Sequence, residues 1–354
     1  MAVGIRVLQI GVVAAVTLVM IALPMGAGAC GCGAFVAPDG YDVAVNREVV
    51  ALSWDGQHQR VIMALDALSE TGDAALLIPT PSPAEVDLAE MELFDELEEV
   101  IAPRVVTDRR WWPGWRLTWE ELDGAVGGAP GQDPVTVLDQ VDLGPLEVTT
   151  LDADDADALA AWLDEHDYVM DGGLADAAQP YVDEGWSYVA VRLSPTNGEF
   201  DGDLEPLDLR FASEQMVYPM RFSSLADHSQ FVRTYVFADQ RMQRTDPTTD
   251  GTAPDTRFAG MVDTGDAENA VLAELAGDAP YLTTIDQHFH EPSEQVVSDF
   301  HFAPDPDGED YQETDYRRVE VTVLGIAGGP AILIGVVLAG AVAVPLLRRR
   351  KPSD

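Results

Sequence analysis

Residues 43–54 and 60–68 are rich in β-branched and apolar side chains, with Asp55-Gly56 between them. Two such runs around an Asp-Gly pair predict a β-hairpin, because Gly accepts the positive φ of a tight turn. A third apolar run, 74–78, ends at Pro79. Pro79-Thr80-Pro81-Ser82-Pro83 must then be extended or turning, since each Pro also restricts the residue before it. The period then changes. Leu88, Met91, Phe94, Leu97 and Ile101 recur every three or four residues with acidic residues between them, which predicts an amphipathic helix stopped by Pro103. Residues 123–134 are rich in Gly and Pro and predict a long loop or a boundary. Asp152, Asp154, Asp155 and Asp157 crowd a helix start, where the dipole favours carboxylates. Leu159, Trp162 and Leu163 supply that helix with an apolar face, and 174–184 predicts another helix interrupted by Pro180.

From Trp186 the strand period returns, at 186–193, 207–212, 216–222 and 231–237. Residues 244–257 form a polar, turn-rich loop, 268–276 a helix, and 281–289 and 296–302 the last strands. Strands come in runs rather than alternating with helices, so the predicted class is α+β, with mostly antiparallel sheet around a helical middle section. Two strand groups, 41–80 and 186–240, each hold an apolar strand followed by one broken by Pro, a pattern a degenerate duplication would leave.

Both ends read differently from the middle. Arg6, the apolar run 7–23 and Ala27-Gly28-Ala29 make up a secretory signal over residues 1–29, with Cys30 first in the mature chain. Lipidation of Cys30 is the competing reading, but a lipid-attachment site usually has Leu where Ala27 stands. Residues 321–347 contain no charge and are long enough for a transmembrane helix across a hydrocarbon core of about 30 Å. Arg348, Arg349, Arg350 and Lys351 follow in a tail, 348–354, that the positive-inside rule places in the cytoplasm. The expected topology is a single-pass plasma-membrane protein with residues 30–320 outside, in one domain or in halves at 30–122 and 135–320. Gly325 and Gly329 have the spacing of a helix-dimer motif, although such glycines are more often merely tolerated.

Charge narrows the function classes. The 354 residues carry a formal charge of −42, and residues 30–320 alone hold 15 Arg, no Lys and 61 acidic residues. Nucleic acid is excluded as a partner, because a polyphosphate needs clustered cations. The only Lys is Lys351, so a Walker A lysine, a Schiff base and a Ser–Lys dyad are all excluded from the folded part. No GxSxG, HExxH or GxGxxG opening a helix is present.

Four clusters could carry chemistry. Cys30 and Cys32, in Cys30-Gly31-Cys32-Gly33, could form a disulfide, act in redox exchange or bind copper or zinc. His288 and His290 would share a strand face, and His301 on a hairpin partner could complete a metal site. Asp305, Asp307, Glu309 and Asp310 alternate as calcium ligands do, but Gly308 and the missing twelfth-position Glu do not fit an EF-hand. Trp111, Trp112, Trp115 and Trp119 bunch with Arg109, Arg110 and Arg116, either as core packing or as a stacking and contact surface.

Several segments in order resemble one family, the domain of unknown function 2330. They are Cys30-Gly31-Cys32-Gly33-Ala34-Phe35, Ser53-Trp54-Asp55-Gly56, Ala75-Leu76-Leu77-Ile78-Pro79-Thr80-Pro81, Leu93-Phe94-Asp95, Trp111-Trp112-Pro113, Tyr188-Val189-Ala190-Val191-Arg192-Leu193 and Val217-Tyr218-Pro219-Met220. The resemblance implies an exported, often membrane-anchored bacterial protein, and it carries over no catalytic residue. The expected function is a non-catalytic binding or envelope-structural role for an acidic ectodomain. The alternative is a metal-handling or redox ectodomain using Cys30, Cys32 and the histidines.

Overall fold

The computed structural model describes residues 28–29, 33–36, 43–69, 74–110, 147–152, 156–165, 168, 170, 172–193, 200–263, 270–277, 280–323 and 326–348. The signal segment before Gly28, Cys30, Cys32, the 123–134 loop, the Trp111–Trp119 cluster and the tail beyond Arg348 lie outside them. The chain divides into two compact units. One comprises residues 1–100 and 141–310, and the other 101–140 and 311–354.

In the larger unit the strands are β1 (Gly28–Ala29), β2 (Ala34–Val36), β3 (Val43–Trp54), β4 (His58–Ser69), β5 (Ala74–Thr80) and β6 (Glu85–Leu88). They continue as β7 (Glu147–Asp152), β8 (Ser187–Leu193), β9 (Phe200–Asp203), β10 (Leu207–Ala212), β11 (Val217–Tyr218) and β12 (Gln230–Ala238). The last are β13 (Met242–Arg244), β14 (Asp255–Met261), β15 (Tyr281–Phe289) and β16 (Phe300–Pro304). The helices are α1 (Glu92–Val100), α2 (Ala156–Glu165), α3 (Gly172–Asp183), α4 (Ala270–Ala276) and the single turn α5 (Pro292–Gln295).

A large sheet runs in the order β14-β15-β12-β3-β4-β10-β6, with β9 also on β4. A smaller sheet runs β1-β2-β5-β8-β7, and a three-stranded one β11-β16-β13. The pairings are antiparallel except β12 with β3, which is parallel. The α+β class with mostly antiparallel sheet therefore holds. Strands on both sides of the Gly/Pro-rich segment share the same sheets. The two Pro-broken segments, by contrast, belong to different sheets.

Alternation along the strands builds four layers. Val61, Met63, Leu65 and Ala67 of β4 meet Leu76 and Ile78 of β5 and Val189 and Val191 of β8 in one core between the two sheets. Leu77, Tyr188 and Ala190 point the other way, into a second core with Leu159, Leu163, Leu174, Ala178 and Tyr181 of α2 and α3. On the far face of the large sheet, Ile62 and Ala51 are fully buried, and α1 contributes Leu93, Phe94 and Leu97. Both faces of the central strands are covered, so β3 and β4 read as near-continuous apolar runs.

Local chemistry sets the boundaries. The β3–β4 turn is held by Asp55, whose Oδ1 accepts from the amides of Gln57 at 2.8 Å and His58 at 2.7 Å, and Gly56 takes φ +97°. Those backbone hydrogen bonds, from His58 first, lower the Asp55 pKa. The predicted helix from Leu88 begins only at Glu92, because 85–88 pairs with β10 as an edge strand. Asp152 ends β7 instead of starting a helix, and that helix begins at Ala156. The expected strand 216–222 shrinks to Val217–Tyr218, since Pro219 cannot donate and a 3₁₀ turn follows at Arg221–Leu225. The expected strand 296–302 starts at Phe300, behind α5.

In the second unit Arg104–Arg110 pairs in parallel with Thr314–Glu320, an exposed two-stranded ribbon. A short pairing of Thr322–Val323 with Ile326–Ala327 leads into α6 (Gly328–Arg348). The helix starts after Gly325, so the Gly325–Gly329 spacing does not lie within it. The side chains of α6 are described from Gly328 to Leu338, about 16 Å of helix. On the described residues no helix is long and apolar enough to cross a membrane.

Candidate functional site

Several of the segments that resemble the family converge on Val217-Tyr218-Pro219-Met220. This stretch has little strand of its own, and its backbone is satisfied by borrowed groups. Gln59 of β4, itself buried, donates from Nε2 to the Val217 carbonyl at 2.6 Å and accepts from the Val217 amide at 3.0 Å. One side-chain amide thus stands in for a paired strand. Nearby, Trp54 Nε1 donates to the Ser213 carbonyl at 2.9 Å, and Ser82 Oγ donates to the Ala212 carbonyl at 2.8 Å. Ile78, Pro79 and Thr80 from one segment and Tyr218 and Pro219 from the other line the same small apolar gap between the sheets. Gln59→Ala strands two buried backbone groups and is expected to cost about 2–3 kcal/mol, read as a lower urea midpoint. A Gln59→Ala midpoint equal to that of the parent would rule this role out.

The next residues carry the densest buried charge. The α3 helix ends at Asp183, Gly185 in the turn after it takes φ +73°, and the Trp186 amide closes back onto the Tyr181 carbonyl at 2.9 Å. That cap fixes Tyr181, whose hydroxyl donates to Asp299 Oδ1 at 2.6 Å. The same oxygen accepts from the Met220 amide at 2.7 Å and the Arg221 amide at 3.3 Å. Asp299 Oδ2 lies 3.0 Å from Arg221 Nε, and Arg221 Nη2 lies 2.8 Å from Glu184. The Arg221 guanidinium also sits 4.9 Å from the Tyr181 ring centroid. Asp299 and Tyr181 are both fully buried. Burial, and then the Asp299 charge, pushes the Tyr181 hydroxyl well above its usual pKa, so it is a fixed donor.

Three further pairs repeat the device. Arg60 holds Asp208 through Nε at 3.0 Å and Nη2 at 2.8 Å, and reaches Glu274 of α4 at 3.0 Å. Arg233 holds Asp286 at 2.6 and 2.7 Å and reaches Glu98 of α1 at 2.5 Å. Glu98 also accepts from Tyr235 at 2.7 Å. Each of these arginines therefore pins a helix to the large sheet. Arg244 holds Asp246 at 3.0 and 2.5 Å, stacks 3.6 Å from the Phe300 centroid, and donates to Gln287 at 2.6 Å. Burial lowers the Arg233 pKa, but the Asp286 hydrogen bonds and neighbouring charges outweigh it, and the net shift is upward.

These arrangements can fix a proton and a charge. They do not present a nucleophile beside a base. The residues singled out from sequence lie elsewhere. His288 is exposed at the end of β15 and packs on Phe231 at 4.7 Å between ring centroids. His290 is exposed beyond the strand. His301 lies on β16, half-buried, with its amide donating to Asp246 at 3.1 Å. Asp305 pairs with Arg241 at 3.2 Å, and Asp310 accepts from Tyr281 at 2.7 Å. Among the described residues no group of three or more His, Cys, Asp or Glu side chains could hold a metal ion.

Gly33 lies against β5, where a Cβ would stand 2.6 Å from the Leu77 carbonyl oxygen. Gly33→Ala is expected to cost about 1–3 kcal/mol through overpacking, measurable as a lower melting temperature, and an unchanged one would refute that close approach.

No curated protein and no solved structure matches the chain. A family described as "uncharacterized protein conserved in bacteria" matches residues 26–303, which takes in β1 through β15, all but the last residue of β16, and the Asp299, Asp208, Asp286 and Asp246 networks. On that match the chain belongs to the domain of unknown function 2330 family.

Proposed function

We propose that this protein is a non-catalytic, acidic cell-surface domain, anchored by one C-terminal span, that binds a partner or stabilises the envelope. The observation that carries the reading is how the buried carboxylates are used. Asp299, Asp208, Asp286 and Asp246 each hold an arginine. Each is buried against its arginine, away from any substrate proton that a general base would have to take. The anchor rests on the uncharged run 321–347 and on the backbone of α6, whose 21 residues span about 31 Å. Export rests on the signal segment. Cleavage after Ala29 removes β1 and makes β2 the edge of the smaller sheet.

Two measurements test this. Protease added to intact cells should digest the protein up to the span and leave a fragment containing the tail, and full protection from protease would refute surface exposure. Purified full-length protein should show no turnover on ester, peptide, phosphate or glycoside panels. Steady turnover there would overturn the non-catalytic reading.

A further inference from the structure

The ribbon of the second unit carries more basic than acidic residues, against the trend of residues 30–320. Its strands, Arg104–Arg110 and Thr314–Glu320, contain five of the 15 Arg in residues 30–320, against three acidic residues, Asp108, Asp315 and Glu320. One end of the ribbon is tied to α6. The Arg110 carbonyl accepts from the Val321 amide at 2.9 Å, and the Val321 carbonyl accepts from the amide of Gly328, the first residue of α6, at 2.6 Å. Two hydrogen bonds therefore separate Arg110 from the helix start. The Arg109 side chain is exposed and has no partner among the described residues. Among the described residues Arg110 pairs only with Asp108, at 3.1 Å, and both are about half exposed, so that pair holds it weakly. Val319 is the register neighbour of Arg109 and is 48% exposed, and Tyr316, beside Val106, is 70% exposed.

We propose that this end of the ribbon binds the anionic phospholipid headgroups on the outer face of the membrane, an inference that rests on the reading of α6 as the span. With α6 filling a hydrocarbon core of about 30 Å, the headgroup layer extends roughly 5–8 Å beyond it. A strand rises about 3.3 Å per residue, so Arg109 and Arg110 fall at that depth. An ectodomain with 61 acidic residues is repelled by an anionic surface. Each arginine held at such a surface strengthens attachment by about fivefold. Val319 supplies an apolar contact beside Arg109. Arg104 lies at the other end of the ribbon, about 20 Å away by strand rise, and is out of reach.

The test is hydrogen–deuterium exchange on the full chain in nanodiscs of phosphatidylcholine alone or mixed with phosphatidylglycerol. In the anionic discs, peptides covering 104–110 and 314–320 should exchange about fivefold more slowly or less, and high salt should erase the difference in the parent protein. Arg109→Glu with Arg110→Glu should erase it too, while Arg104→Glu should leave it. Equal ribbon exchange in both lipids, with the 328–348 peptides protected in both, overturns the headgroup contact and leaves the span standing. Unprotected 328–348 peptides overturn the span itself and the contact with it.

Discussion

Asp299→Ala is expected to cost about 3–5 kcal/mol and to give the largest loss among single substitutions in its network. The carboxylate has no solvent to fall back on, and from two other segments it takes three hydrogen bonds and the Arg221 ion pair. Removing it leaves the Tyr181 hydroxyl and the Met220 amide without their acceptor, and the Arg221 amide with the Tyr181 oxygen alone, at 3.1 Å. It also leaves Arg221 with Glu184 alone, and Glu184 is 45% exposed. Arg221→Ala should cost less. The guanidinium is 22% exposed, and three hydrogen bonds would remain on the carboxylate. Tyr181→Phe removes one donor and should cost about 1–2 kcal/mol. Urea midpoints measured on the full chain give the order directly. If Tyr181→Phe proved the most damaging of the three, Asp299 would not be the centre of the network.

The second large effect concerns alkaline pH. Tyr181, Tyr188 and Tyr235 are fully buried, and burial is the main cause raising each pKa above the usual value of about 10. The Asp299 and Glu98 charges push Tyr181 and Tyr235 further in the same direction. Tyr281 is pushed up to about 12, again chiefly by burial. Below pH about 10 these phenols are neutral in both states, so pH has no leverage through them. Above it the unfolded chain gives up protons that the folded chain keeps. Stability should then fall by about 1.4 kcal/mol per pH unit for each phenol, or roughly 4 kcal/mol per unit for the three buried ones. Denaturation midpoints at pH values either side of about 10 would show the break in slope. A flat profile through that range would mean the three phenols reach solvent.

The sequence pattern located the strongly apolar strands well. Leu207–Ala212 and Tyr281–Phe289 have the bounds their apolar periodicity predicts. It missed Arg104–Arg110, whose residues are all exposed and mostly charged or polar, because nothing in a solvated ribbon marks it as a strand. The edge strand Glu85–Leu88 escaped for a related reason, since its acidic residues interrupt the apolar run. At the candidate site, Val217-Tyr218-Pro219-Met220 stood out from its neighbours, and so did Ile78-Pro79-Thr80. Their meeting across the two sheets did not, because it depends on tertiary register. Asp299 gave no signal at all. One Asp among so many in an acidic chain becomes distinctive only once its burial is known.

The parallel pairing of β3 with β12 has a consequence for how the molecule comes into being. Phe231 sits beside Arg47, so about 180 residues of chain must be made before the centre of the large sheet can close. The first hairpin, β3 and β4, is born with its apolar strands and must wait. Contacts this distant in sequence reward the chain late, after the loop entropy has been spent, which makes folding slow and leaves apolar strand edges open meanwhile. The excess of like charge spread along the same chain would keep waiting copies apart. The acidity would then act first as an anti-aggregation device during synthesis, before any surface exists for a partner to meet.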